Sequence, residues 1–542
     1  MSETASAATQ LYKDEVLEIE PHGLEHIIMA ERHGRPFSLF TLWFSANLVL
    51  ATWVVGSISV SVFGESMPGA LISLLIGNLI GAALLAALSS WGPHLGVPQM
   101  VQSRKAFGFL GNFGPGALNY LAGIGWFAVN TVYGTFALQT LVHLNYYVAL
   151  AIMVVGQVAL AVYGYNMIHA FERYMAILLG ITFLLLGIFT FFNPHANYGA
   201  AFNPKAFVPY GGELGGFIIT ITLALGYFMG WMPFASDYSR YLPRETPPQR
   251  AFMFTFLGAF IPCLLLEWMG ALTMSIPVSH AVAGNPASTI AYLMPGPLAG
   301  LALIAIVLGT GCANSLNIYS GAMSALVIRA ERSAWTKSIS LGVIFAAAVI
   351  LLLNISNATL ASQKQATLPG LEVVGAGIIV GLIVAIAARF PLRRWHAAVL
   401  VGLMGGILST GGSNPLTAST EYTNFLLLLS YWIGPWVGVL MIDWYFQHHG
   451  NYDLKDVYDQ NRAFRPGAIA WLVGLLVSTL FWNQAWYVGP VPSAHPQVGD
   501  LSYFVGFIVA ALVYAVLSTF MRSSAPAGSK GDVSEKAAGM GS

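Results

Sequence analysis

Three stretches of this sequence place carboxamides and aromatic rings at helical spacing inside apolar runs. GWFAVNTVYG sets Trp126 and Asn130 four residues apart, hence on one helix face. LGTGCANSLNIYSGAMS sets Asn314 and Asn317 one turn apart, among Thr310, Ser315, Tyr319 and Ser320. GYFMGWMPFASDYSRYLP brings Tyr227, Phe228, Trp231 and Phe234 together with Gly226, Gly230 and Pro233 before it reaches Asp237 and Arg240. The chemistry such groups offer is recognition of a flat polar ring, whose face stacks on an aromatic side chain while its edge hydrogen-bonds to an amide. Each pattern also suits plain helix packing, since Gly and Pro are common in membrane spans and asparagines bond across helices there. The eighth-span cluster favours a site, because so many polar groups in one span require a bundle interior or a wet cavity.

Only a membrane can hold these elements in place. Of the 542 residues, 56% are hydrophobic and 8% charged, against roughly 25% charged in a soluble domain. The apolar runs are long enough to span a bilayer, which takes about 20 residues each. Hydropathy predicts an all-α polytopic protein with spans near 38–63, 67–91, 112–140, 146–164, 170–193, 213–235, 252–276 and 298–328. Six more are predicted near 338–356, 371–389, 395–411, 421–446, 467–487 and 501–521. With the N-terminus inside, only Lys205 and Lys364 of the 23 Lys and Arg fall on the outer side. That bias predicts both termini in the cytoplasm and a multi-pass protein of the plasma membrane. Residues 1–37 read as a polar cytoplasmic tail, without the apolar core of a cleavable signal peptide. Residues 522–542 read as a disordered cytoplasmic tail, and 38–521 as the transmembrane domain.

Inside that domain, Gly226, Gly230 and Pro233 interrupt backbone hydrogen bonding and predict a broken sixth helix. The freed groups of such a helix must be satisfied by protein, water or ligand. WFSANLVLATWVVGSIS, with Asn47, Thr52 and Gly56, makes the first span the next candidate for a break, although it has no internal proline. Asp237 and Arg240 are expected to pair with each other or to close an inner gate. Glu267, near the middle of the seventh span, is protonated, paired or part of a proton relay.

No acidic partner, nucleic acid or enzyme activity is indicated. Lys plus Arg balances Asp plus Glu at 23 each. The chain has no phosphate-binding glycine loop, zinc spacing or nucleophile elbow. Cys263 and Cys312 lie in apolar segments, where a disulfide framework is not expected.

Five blocks in order resemble the purine–cytosine permease family, a branch of the nucleobase:cation symporters. They are ERHGRPFSLFTLWFSAN (Glu31–Asn47), GVPQMVQSRKAFG (Gly96–Gly108), SDYSRYLP (Ser236–Pro243), NIYSGAMS (Asn317–Ser324) and NFLLLLSYWIGPW (Asn424–Trp436). The resemblance implies a LeuT-type fold: two inverted five-helix repeats with broken first and sixth helices, then two further helices, twelve in all, or fourteen with the 338–389 pair. It implies a secondary importer that carries nucleobases inward with H⁺ or Na⁺. Ring-binding positions carried over from the family fall on Trp126 and Asn130, on Phe228 as aromatic platform with Gly226 and Tyr227 beside it, and on Asn314 and Asn317. Asn47, Thr52, Gly56 and Trp231 complete the expected substrate-binding set, with Asp237, Arg240 and Glu267 for gating or coupling.

Sodium-coupled relatives place hydroxyl residues just before the eighth-helix amides. Here the run is Gly311-Cys312-Ala313, which gives a hard cation no side-chain oxygen and favours a proton as the coupling ion. No cofactor or bound metal is expected, and the protein is expected to act as a monomer. The 338–389 pair lies between the family's eighth and ninth helices and is an expected insertion. Allantoin, hydantoin, pyridoxine-type compounds and thiamine precursors are alternative substrates on the same fold. A non-transporting nutrient receptor is the alternative of another class.

Overall fold

The computed structural model describes residues 23–163, 165–203, 211–277, 285–328, 394–484 and 487–523, with a few isolated positions between 346 and 381. The predicted pair at 338–389 and most of both tails lie outside the described residues. Nine of the described helices are long and apolar enough to cross a membrane, and a bent pair adds a tenth. Two shorter apolar helices, Tyr146–Ala161 and Pro466–Phe481, stand where two further spans are predicted. Twelve of the fourteen predicted spans are thereby accounted for, and the chain is a multi-pass integral membrane protein.

The first span is broken. Phe37–Asn47 and Leu50–Ser61 meet at 58°, and no proline causes the bend. Val49 is extended, with φ −129° and ψ 157°, a conformation that suits a β-branched residue. The break frees backbone groups that lipid cannot satisfy, and a side chain takes up the Asn47 carbonyl while Asn47 itself folds back on its own helix. Thr52 Oγ1 donates to the Asn47 carbonyl at 2.8 Å, and Asn47 Nδ2 donates to the Trp43 carbonyl at 2.7 Å.

The sixth span bends less. Its helix, Gly212–Trp231, passes through one tight turn at Met232–Phe234 and resumes over Ala235–Ser239. The interruption therefore sits at Pro233, which has no N–H to give, and not at Gly226 or Gly230.

Two glycines expected at the site prove to be packing points. A Cβ at Gly56 would collide with the backbone of Glu267 on the seventh span, Pro248–Thr273. One at Gly226 would stand 2.7 Å from Ser430 Oγ and 2.8 Å from the Leu426 carbonyl on helix Pro415–Met441. Both let helices approach closely, the usual use of small residues between membrane helices, and neither presents a surface to a ligand. The third span, Phe113–Val142, and the eighth, Pro297–Ile328, meet in the same way at Gly123 and Gly321. That contact brings their carboxamides into reach of each other.

Large apolar side chains such as Val155, Leu184, Phe192, Leu416 and Phe520 point outward, as the lipid-facing surface of a helical bundle requires. Polar side chains turn inward instead. At one end of the bundle the loop after the broken first span carries Glu65, which accepts from Ser73 Oγ at 2.9 Å. The neighbouring Ser66 Oγ donates to Glu213 Oε1 at 2.8 Å, at the start of the sixth span. Burial pushes the Glu65 carboxyl up to about 7; Ser73 opposes the rise and the Glu213 charge adds to it.

A carboxyl raised on folding favours the protonated protein, so stability is lost as pH climbs from the ordinary carboxylate range through that value. Glu65→Gln should remove a penalty of roughly 2–3 kcal/mol above neutrality. Melting of the detergent-purified protein checks this: the variant should be the more stable at pH 8, with most of the difference gone at pH 5.

Candidate substrate site

The third, sixth and eighth spans bring their aromatic rings and amides to one buried place. The indoles of Trp126 and Trp231 lie nearly parallel, 11° apart with centroids at 6.1 Å. Tyr227, Tyr422 and Phe425 meet Trp126 edge-on. Gly230 makes room for the Trp126 indole, since any Cβ there would collide with its ring.

The broken first span sets the planes of these rings. Trp231 Nε1 donates to Asn47 Oδ1 at 3.0 Å. The Tyr227 hydroxyl is 2.7 Å from Thr52 Oγ1, whose own hydrogen goes to the Asn47 carbonyl, so the phenol is the donor. Asn47 and Thr52, expected to meet substrate, are thus committed to orienting the aromatics. Phe228 is a correction of another kind. Its ring lies against Gly81 of the second span, Met67–Ser89, turned away from Trp126. Residues 227 and 231 share a helix face and 228 stands about 100° around from 227, so the ring that faces Trp126 is that of Trp231.

Asn314 is the hub of the amide cluster. Its Nδ2 lies within hydrogen-bonding distance of the Phe127 carbonyl at 3.0 Å, Thr131 Oγ1 at 3.0 Å and Gln157 Oε1 at 2.9 Å. Its Oδ1 accepts from Asn317 Nδ2 at 3.1 Å and from Asn130 Nδ2 at 3.4 Å. With both ends engaged by protein, Asn314 orients its two neighbours. Gln157 on the fourth span, Tyr146–Tyr163, was missed from the sequence; one amide in an otherwise apolar span was the available signal.

Four buried polar atoms in this cluster have no hydrogen-bond partner: Trp126 Nε1, Asn130 Oδ1, Asn317 Oδ1 and the Tyr422 hydroxyl. Leaving such atoms dry costs about 1–3 kcal/mol each, so the arrangement calls for a ligand or water. It offers one donor, two acceptors and a phenol that can do either, beside paired indoles.

Of the remaining expected residues, Glu267 Oε2 accepts from Asn78 Nδ2 of the second span. Asp237 Oδ1 accepts from the Gln99 backbone N–H at 2.9 Å. Arg240 donates to the Gly23 carbonyl at 3.0 Å and to the phenols of Tyr319 at 3.2 Å and Tyr241 at 3.3 Å. Tyr238 donates to the Leu316 carbonyl at 3.0 Å. This end of the sixth span is therefore tied to the eighth and to the segment before the first.

Comparison with known proteins bears on what such a bundle does. The model of the family described as permease for cytosine/purines, uracil, thiamine, allantoin matches residues 27–399 and 384–506. The chain belongs to that family. A putative purine-cytosine permease of Bacillus subtilis is 26% identical over 92% of this chain and 96% of its own. The purine-cytosine permease of Emericella nidulans is 24% identical over 93% and 89%. Mhp1, a nucleobase-cation-symport-1 family transporter solved in a closed conformation with bromovinylhydantoin bound, superposes with a TM-score of 0.59 at 17% identity, covering 94% of this chain and 97% of that one. Its inward-facing structure gives 0.63 at 18%, over 93% and 94%. This permease therefore has the expected LeuT-type fold and is a transporter, not an enzyme.

Asn314→Ala would release both neighbouring amides of the permease. With two or more hydrogen bonds lost at about 1 kcal/mol each, substrate affinity should fall roughly 10- to 100-fold while the amount of protein in the membrane stays unchanged. Binding titration alongside a membrane blot checks this.

Proposed function

We propose that this permease is a secondary active importer of nucleobases such as cytosine or purines, working by alternating access with a proton as the coupling ion. The observation that carries the proposal is the set of unpartnered atoms beside the indole pair, Trp126 Nε1, Asn130 Oδ1 and Asn317 Oδ1. A nucleobase edge presents ring nitrogens and carbonyl oxygens to a donor, and N–H or amino groups to acceptors, while its face stacks on an indole. The named relatives agree with that chemistry.

Proton coupling draws support from Gly311-Cys312-Ala313, which lacks the hydroxyl oxygens a hard cation favours. The placement of Lys and Arg supports a plasma-membrane protein with both termini in the cytoplasm, so that the Asp237–Arg240 end of the sixth span closes the inner side. The protein is proposed to work as a monomer.

One relative widens the substrate class. The vitamin B6 transporter of Saccharomyces cerevisiae is 22% identical over 93% of this chain and 87% of its own. A pyridoxine-type ring is also flat and carries polar edge groups, and it is the second reading.

Uptake of radiolabelled cytosine, in competition with adenine, hypoxanthine, uracil, allantoin and pyridoxine, tests the substrate. Cytosine or a purine should compete best, and uptake should survive removal of Na⁺ but not addition of a protonophore. Trp126→Ala should weaken uptake affinity by the worth of one stacked base, about 1–3 kcal/mol. Strong competition by pyridoxine alone would select the second reading, and dependence on Na⁺ would overturn proton coupling.

A further inference from the structure

A second buried carboxyl group, apart from Glu267, lies beside the site. Glu172 belongs to the fifth span, Tyr165–Phe191, and is fully buried. No basic side chain among the described residues forms an ion pair with it. One of its oxygens, Oε2, meets Ser45 Oγ in the lower half of the broken first span. Cys312 and Ser315 of the eighth span flank it on the other side. The titratable groups facing it from neighbouring elements are the Cys312 thiol and the Tyr238 phenol, and His169 and Arg173 stand on its own helix.

Counting hydrogens shows what the contact with Ser45 demands. Ser45 Oγ is 2.6 Å from the Thr41 carbonyl, which can only accept. A serine hydroxyl has one hydrogen. If Ser45 gives it to Thr41, the contact with Glu172 is a hydrogen bond only when the carboxyl group donates its own proton. When that proton leaves, Ser45 must turn from the Thr41 carbonyl and donate to the carboxylate. Glu267 is wired differently. Asn78 Nδ2 has two hydrogens, one for the Leu74 carbonyl at 2.8 Å and one for Glu267 Oε2, and need not reorganise when the carboxyl group loses its proton.

We propose that Glu172 is the residue that carries the coupling proton, and that its contact with Ser45 passes its protonation state to the broken first helix. The assignment rests on the proton-coupled reading above. Ser45 stands two residues before Asn47, whose Oδ1 holds the Trp231 indole. Cys312 and Ser315 stand on either side of the Ala313–Asn314 pair that leads into the amide hub. The carboxyl group thus touches both elements that position substrate, so that proton and substrate each bias the same arrangement of helices. In each cycle a proton from the outer solution forms an O–H bond on the Glu172 carboxylate, and that bond breaks again toward the inner solution. No other atom changes hands.

The test uses the full chain in proteoliposomes, radiolabelled cytosine, an inside-alkaline pH gradient and a pH-sensitive dye. Wild type should accumulate cytosine and carry protons inward with it. Glu172→Gln, fixed in the neutral form, should keep cytosine counterflow but lose both accumulation and the dye signal. Glu172→Asp, which retains a carboxyl group, should still accumulate. Ser45→Ala should shift the pH of half-maximal uptake. Accumulation by wild type and Glu172→Gln alike would overturn the assignment alone. So would loss of accumulation in Glu172→Asp with an unshifted profile in Ser45→Ala, a pair that decides the matter even if Glu172→Gln does not fold. Cytosine counterflow by wild type without accumulation under the gradient would overturn proton coupling and this assignment with it, whereas absence of counterflow would overturn the nucleobase reading, and the same arms are then run with radiolabelled pyridoxine.

Discussion

The architecture depends on one constraint: inside a bilayer a polar group must be satisfied by the protein, by trapped water or by a ligand. In the described bundle several connected chains of hydrogen bonds answer it. The carbonyl freed at the bend of the first span goes to Thr52, that threonine takes the Tyr227 phenol, and Asn47 fixes the Trp231 indole. Asn314 then joins the third, fourth and eighth spans through Phe127, Thr131, Gln157, Asn130 and Asn317. Orphaned buried atoms occur elsewhere in the bundle too, at Trp43, Trp53 and Trp436 for example; those at the indole pair stand out because a donor and two acceptors lie together beside facing rings.

Close packing and binding are served by different residues, although both use the same helices. Gly56, Gly226 and the Gly123–Gly321 contact bring backbones together. Gly230 brings an indole over a backbone instead, and it alone of these glycines helps to shape the ring site. A break in the first span costs intrahelical hydrogen bonds, yet it supplies the side chains that hold the Trp231 indole and the Tyr227 phenol. Ser45, Asn47 and Thr52 all sit at or beside that break, where each side chain meets one on a neighbouring helix.

Much of this was legible in the residues themselves. The amides at Asn130, Asn314 and Asn317 stood out because polar side chains are rare in apolar runs, and the structure brings all three together. The bend near Asn47 could be read from a local cluster of polar and small residues even without proline. Helix rotation was not legible: Phe228 and Trp231 both belong to an aromatic stretch, and only packing against Gly81 and Trp126 shows which ring faces inward. Glycine meant a bend in one dimension and proved to mean contact in three. Gln157 was passed over as a lone amide in an apolar span, and Glu172 because its neighbours Asn166, His169 and Arg173 mark the polar end of its helix; the contacts that give each a role, with Asn314 and Ser45, come from more than 100 residues away in sequence.

The central claim is that a flat heterocycle completes the hydrogen bonding of the indole and carboxamide cluster. A cryo-electron microscopy map of the detergent-purified protein with cytosine bound addresses it directly. The account predicts ring-shaped density at the paired indoles, with its edge within hydrogen-bonding distance of Trp126 Nε1 and at least one of Asn130 Oδ1 and Asn317 Oδ1. Density elsewhere in the bundle, with those three atoms meeting only water, would contradict it.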